Sequence, residues 1–174
     1  MAERERTSGV GLAPPADPRA GYERDFYSWL MEQARFVREG RWSAVDRDNL
    51  AEEIESLGKS FANELRSRYG TLVMHLLKWQ FQPDQRSNSW MGTVRRERIA
   101  IAKHLRDNPG LKPRREELLA DSYDVAVQGA VAETNLAPDR FPTTCPYTLD
   151  EVMDPEFWPG GADLSERPRG RRGR

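Results

Sequence analysis

Between Asp46 and Phe81 no proline interrupts the chain, and apolar side chains recur three, four or seven residues apart: Leu50, Ile54, Leu57, Phe61, Leu65, Leu72 and Trp79. That spacing places them on one side of an α-helix. A helix over this span makes roughly ten turns and is about 54 Å long. Past residue 71 the stripe widens, because Leu72, Val73, Met74, Leu76 and Leu77 cover nearly every side. A helix that is apolar all round is buried all round, so the second half is expected to form the spine of a helical bundle. Asp46 suits the N-cap, and Pro83 with Asp84 closes the helix. Gly58 lies inside the stripe. A mid-helix glycine costs about 1 kcal/mol against alanine and marks the place where this helix can kink or break.

The remaining elements arrange themselves around that rod. Phe26, Trp29, Leu30, Ala34 and Val37 predict a first helix from Tyr22 to Glu39, with Gly40 as its left-handed stop. A third helix is expected from Ser89 to Arg106, with Trp90, Val94, Ile101 and Leu105 inward and Asn108-Pro109-Gly110 as terminator. A fourth is expected from Pro113 to Thr134, with Glu116 and Glu117 near the positive end of its dipole. After it, prolines punctuate the chain, and Thr148 with Glu151 reads as the capping box of one short helix. No alternating run rich in β-branched residues occurs, so no sheet is expected. The fold class is all-α: about four main helices bundled around a long central second helix, with short C-terminal helical turns. Residues 21–159 read as a single helical domain. Residues 1–20 and the Arg-rich 160–174 offer almost nothing to bury and read as disordered tails.

Composition removes several function classes. The lone Cys145 can form neither an internal disulfide nor a thiolate zinc site, and it fits a reducing compartment. The N-terminus lacks the apolar core of a secretory signal, and no apolar run approaches the roughly 18–20 residues that span a bilayer. A cytoplasmic protein without membrane partners is expected.

Several short stretches form an ordered set. They are Asp25-Phe26-Tyr27-Ser28-Trp29-Leu30, Leu50-Ala51-Glu52-Glu53-Ile54-Glu55-Ser56-Leu57-Gly58, Leu76-Leu77-Lys78-Trp79-Gln80, Ser89-Trp90, Cys145-Pro146-Tyr147-Thr148 and Phe157-Trp158-Pro159. Together they resemble the bacterial "domain of unknown function 29" family, over Tyr22 to Pro159. The resemblance implies a small helical bacterial protein. It carries over no catalytic or binding residue.

Two groups of residues stand out as candidate sites. The first is polar. Arg68 and His75 fall within the apolar stripe of the second helix, with Glu53 and Glu64 at its edge. Buried ionisable groups are expensive unless paired, and Glu64 stands one turn before Arg68, at ion-pair spacing. Such a cluster can line a pocket with His75 as general base, or can be a core histidine and a salt bridge that fix helix register. The structural reading carries more weight. A shared metal is not expected, because an antiparallel hairpin leaves His75 and His104 about 12 Å apart along the axis. No metal-binding spacing, nucleophile elbow or phosphate-cradling glycine loop occurs. Glu52, Glu53 and Glu55 read as a solvated face. No cofactor is expected.

The second group is basic. From Arg86 to Arg115 there are nine basic residues and two acidic ones, a local charge of +7. From Glu116 to Gly160 there are ten acids and one arginine, a local charge of −9. The neutral sum, −1 over the chain, therefore hides a strong charge asymmetry. Arg95, Arg98, Lys103 and Arg106 are expected to point outward from the third helix, as a surface for nucleic acid or an acidic partner. The opposite charge on the fourth helix offers them a partner within the fold as well.

The expected function is a protein-interaction or regulatory module without catalytic activity, whose partner is another bacterial protein. The alternatives are nucleic-acid binding through the basic third helix and a small hydrolase or ligand-binding enzyme built on the Glu/Arg/His cluster.

Overall fold

The computed structural model describes residues 21–161; the predicted tails lie outside it, apart from Gly160 and Gly161. Among the described residues there are six α-helices and no strand: α1 Phe26–Arg38, α2 Arg47–Phe81, α3 Asn88–Asp107, α4 Arg115–Asp121, α5 Tyr123–Thr134 and α6 Leu149–Met153. Tertiary contacts divide the chain into two compact units at Gly58. α2 runs unbroken through that glycine.

The start and stop signals act as their chemistry dictates. The Asp25 carboxylate accepts the Ser28 N–H at 3.0 Å, and the Ser87 hydroxyl accepts the Trp90 N–H. Asp46 receives the Asn49 N–H, capping α2. Thr148 and Glu151 make both halves of a capping box. At the end of α1, Gly40 adopts φ +68°, the Gly40 N–H returns to Val37 O and the Arg41 N–H to Phe36 O. This is the reversed-turn closure that glycine permits without a Cβ penalty.

In the first unit, Trp29, Phe36 and Val45 are buried and Gln33 is fully enclosed, its amide oxygen accepting the Asp46 N–H at 2.8 Å. In the second unit, Leu65, Tyr69, Leu72, Val73, Leu76, Leu77 and Trp79 of α2 are wholly buried, and Val94 and Ile101 of α3 and Ala130 of α5 close over them. Gly129 lets α5 lie against Met74, whose sulfur stands 2.5 Å from where a Cβ would be.

The expected fourth helix is two helices. Ser122 interrupts it, with its hydroxyl donating back to Leu119 O at 2.7 Å. A serine that satisfies a local carbonyl offers the backbone an alternative to the helical ladder. Pro113 lies not in the first turn of α4 but in a 3₁₀ stretch, Pro109–Arg114.

The segment after α5 is strapped over the second unit. Trp79 donates its indole N–H to Gly161 O at 3.0 Å and packs on Trp158, ring centroids 4.7 Å apart. Arg86 reaches Pro159 O and Gly160 O. The Tyr147 hydroxyl donates to Gln80 at 2.6 Å.

Candidate functional sites

The polar residues singled out in the sequence do not form one cluster. Glu53 accepts a 2.5 Å hydrogen bond from the Tyr22 hydroxyl, within the first unit. Glu64 and Arg68 do pair, at 2.8 Å. The other arm of Arg68 reaches Glu97 of α3 at 3.2 Å, so one guanidinium bridges two carboxylates. Hydrogen bonding from Arg68 holds the Glu64 carboxyl below its ordinary range.

The histidine beside this bridge is His104, not His75. Its Nε2 lies 2.9 Å from Phe61 O, and its Nδ1 lies 3.7 Å from Glu64. A carbonyl only accepts, so Nε2 carries the proton and donates it. The antiparallel run of α2 and α3 sets these pairings: residues 61 and 104, and residues 68 and 97, meet across the hairpin. His75 lies about two turns of α2 further on and is half-buried, with Nδ1 2.9 Å from Thr71 O in its own helix. Burial lowers its pKa below the usual histidine value. The grouping of Glu53, Glu64, Arg68 and His75 as one pocket is therefore corrected. The assembled set is Glu64, Arg68, Glu97 and His104. With both carboxylates facing Arg68 and one histidine nitrogen held by a carbonyl, it ties α2 to α3.

The basic face is also redrawn. Arg98 is buried and 5 % exposed. Its guanidinium donates to Val152 O, Pro155 O and Phe157 O at 2.8–3.2 Å and lies over the Trp158 ring. It anchors the C-terminal strap and is unavailable to a nucleic acid or an acidic protein. Spacing identifies it: Arg98 follows Val94 by four and precedes Ile101 by three, which is the buried face. Arg95, Arg96, Lys103 and Arg106 are exposed on the opposite side, with Ile99 71 % exposed among them. Lys103 pairs with Asp107 at 2.6 Å.

One polar contact had no sequence signal. Lys78 is 3 % exposed, forms an ion pair with Glu133 of α5 and sits 4.3 Å from the centre of the Trp90 ring. A cleft of about 360 Å³ opens between α2 and the α4–α5 junction, lined by Asn63, Arg66, Ser67, Thr71, Asp121 and Val125. No histidine lines it, and the Ser122 hydroxyl beneath donates to Leu119 O. Cys145 is half-buried and its Sγ contacts Tyr147 O; burial pushes the thiol up, away from the reactive thiolate. Among the described residues no three His, Cys, Asp or Glu side chains gather as metal ligands, and no helix is long and apolar enough to cross a membrane.

The large exposed apolar side chains are unevenly placed. Among the described residues, Phe26, Tyr27, Met31, Val37, Trp42, Ile54 and Leu57 lie in the first unit, and Phe61, Ile99 and Val125 in the second. On α1, Trp29, Gln33 and Phe36 face inward. Phe26, Tyr27, Leu30, Met31 and Val37 form an adjoining arc, in which Tyr27 and Met31 are the most open and Phe26 packs against Tyr22 and Trp29.

No curated protein and no solved structure matches the chain. The family model described as "Domain of unknown function DUF29" matches residues 22–158, and the chain belongs to that family.

Proposed function

We propose that the protein is a non-enzymatic interaction or regulatory module of the bacterial cytoplasm, and that its partner is another protein. The observation that carries this reading is the open apolar arc of α1, with Tyr27 72 % and Met31 53 % exposed one turn apart. Single exposed apolar residues are ordinary on a soluble protein, but several on one helix face mark a binding surface. Tyrosine and methionine also suit such surfaces, because both give large contact area and adaptable shape. The cytoplasmic setting is supported by the lone cysteine.

The test is a tagged pull-down from nuclease-treated native lysate, comparing the natural chain with Tyr27→Glu/Met31→Glu. A stoichiometric protein captured by the first and lost by the second, with unchanged circular dichroism, supports the reading. Equal capture by both, or no stoichiometric protein under several growth conditions, sinks it.

A second reading, nucleic-acid binding, is favoured by the open basic side of α3, where Arg95, Arg96, Lys103 and Arg106 are exposed together. It requires affinity that falls steeply with salt. The triple variant Arg95→Glu/Lys103→Glu/Arg106→Glu abolishes that affinity if this face binds; binding that survives the triple variant excludes it.

A further inference from the structure

The cleft between α2 and the α4–α5 junction belongs wholly to the second unit, since all its lining residues lie between Asn63 and Val125. Its volume of about 360 Å³ falls within the range of small-molecule sites, roughly 300–1,000 Å³.

Its floor contains a glycine that packing does not require. Gly70 stands in the middle of α2, where glycine weakens a helix. A Cβ there meets Ser122 O at 3.6 Å and Ser122 Cβ at 3.8 Å, both ordinary contacts. What the absent methyl provides is room in the cleft.

The walls carry opposite charges that do not satisfy each other. Arg66 and Asp121 both line the cleft, and neither forms an ion pair among the described residues. Arg114, whose charge reaches Asp121, is held by Glu117 at 2.7 Å.

Hydrogen-bond polarity follows the charges. The buried Ser122 hydroxyl spends its one proton on Leu119 O, and Thr71 spends its proton on Ser67 O at 3.2 Å. Both hydroxyl oxygens are left as acceptors, like the Asp121 carboxylate, whereas the Arg66 guanidinium only donates. Gly70, which faces Ser122, follows Arg66 by four residues, roughly 6 Å along the helix axis. Donor and acceptor regions are thus about one turn apart, an interval that one small zwitterion spans.

We propose that this cleft binds a free α-amino acid. Its carboxylate is received by Arg66, which can grip it with two parallel N–H donors. Its ammonium, with three donors and no acceptor, is received by Asp121 and the Ser122 and Thr71 oxygens. The exposed Val125 offers an apolar wall to its side chain. A ligand with one charge leaves either Arg66 or Asp121 unanswered.

This goes beyond the partner surface on α1 and is tested on the purified full chain alone. Titration calorimetry with each standard α-amino acid is expected to show saturable binding for at least one. Its analogues lacking the ammonium or the carboxylate are each expected to bind at least about tenfold more weakly. Arg66→Gln and Asp121→Asn are each expected to cost about tenfold in affinity with unchanged circular dichroism, because both side chains are exposed. Gly70→Ala is expected to raise the melting temperature while weakening binding, which separates lost room from lost folding. Tyr27→Glu/Met31→Glu is expected to bind the amino acid as the natural chain does, so the two readings fail separately. Saturable binding by no amino acid, equal binding by a single-charge analogue, or full affinity in Arg66→Gln or Gly70→Ala overturns the proposal.

Discussion

α2 contains two halves with the same apolar spacing and opposite surroundings. From Leu65 to Trp79 the stripe is wholly buried, whereas Ile54 is 63 % and Phe61 38 % exposed. The difference is one of neighbours. In the second unit α3, α5 and the C-terminal strap bring apolar side chains to the helix from several directions. In the first unit the buried side chains of α1 are Trp29, Gln33 and Phe36. Periodicity thus reports that a helix has an apolar face, and says nothing of how deeply the fold buries it.

The sharpest way to test that contrast is to remove the same kind of atoms from each half. Leu72→Ala, at a wholly buried position, is expected to cost about 3–5 kcal/mol in urea unfolding. Ile54→Ala, at a position 63 % exposed, is expected to cost less than about 0.5 kcal/mol. Similar losses at the two sites break the comparison.

Next in size is the strap that closes the second unit. Arg98→Met removes the donors to three main-chain carbonyls and is expected to cost about 3 kcal/mol in the same measurement. A loss under about 1 kcal/mol means that water satisfies those carbonyls and that Arg98 is no anchor.

Two glycines sharpen the contrast at smaller scale. Gly58→Ala meets open space and is expected to raise stability by about 0.5–1 kcal/mol. Gly129→Ala must displace the Met74 sulfur, so the same gain in helix propensity is offset and thermal unfolding moves little. Equal shifts for the two remove the distinction between open and packed helix faces.

The smallest expected effect is on pH. The folded-state pKa of His75 is depressed by burial, so the unfolded chain takes up the proton first. Stability attached to this residue is therefore present above the unfolded value, about 6.5, and is lost as pH falls through the folded pKa. His75→Leu is expected to flatten the pH dependence of the melting temperature on the acid side. An unchanged profile means that the imidazole reaches water in the folded state.

Local signals were legible in advance because they act over one turn: the Asp46 and Thr148 caps and the Gly40 stop each rest on neighbours in sequence. The long helix and the absence of strands among the described residues followed from periodicity. The Ser122 break was not legible, since a serine inside a helical pattern can face solvent or satisfy a nearby carbonyl. Of the candidate site, only the Glu64–Arg68 contact could be read, because it is four residues long. That Arg68 also meets Glu97, and that His104 rather than His75 joins them, depends on the register of α2 against α3. Arg98 was within reach of the helical wheel, but an arginine enclosed by carbonyls runs against the expectation that charge faces water.

The strap has a bearing on how the protein is made. Trp79, Arg86 and Arg98 are synthesised well before the carbonyls they bind, which lie between residues 152 and 161. On a ribosome α2 and α3 emerge first and can pair locally, yet the layer over Trp79 stays open until translation has delivered Trp158 and Gly161. The nascent chain therefore passes through an interval in which its most deeply buried indole has no cover from that segment.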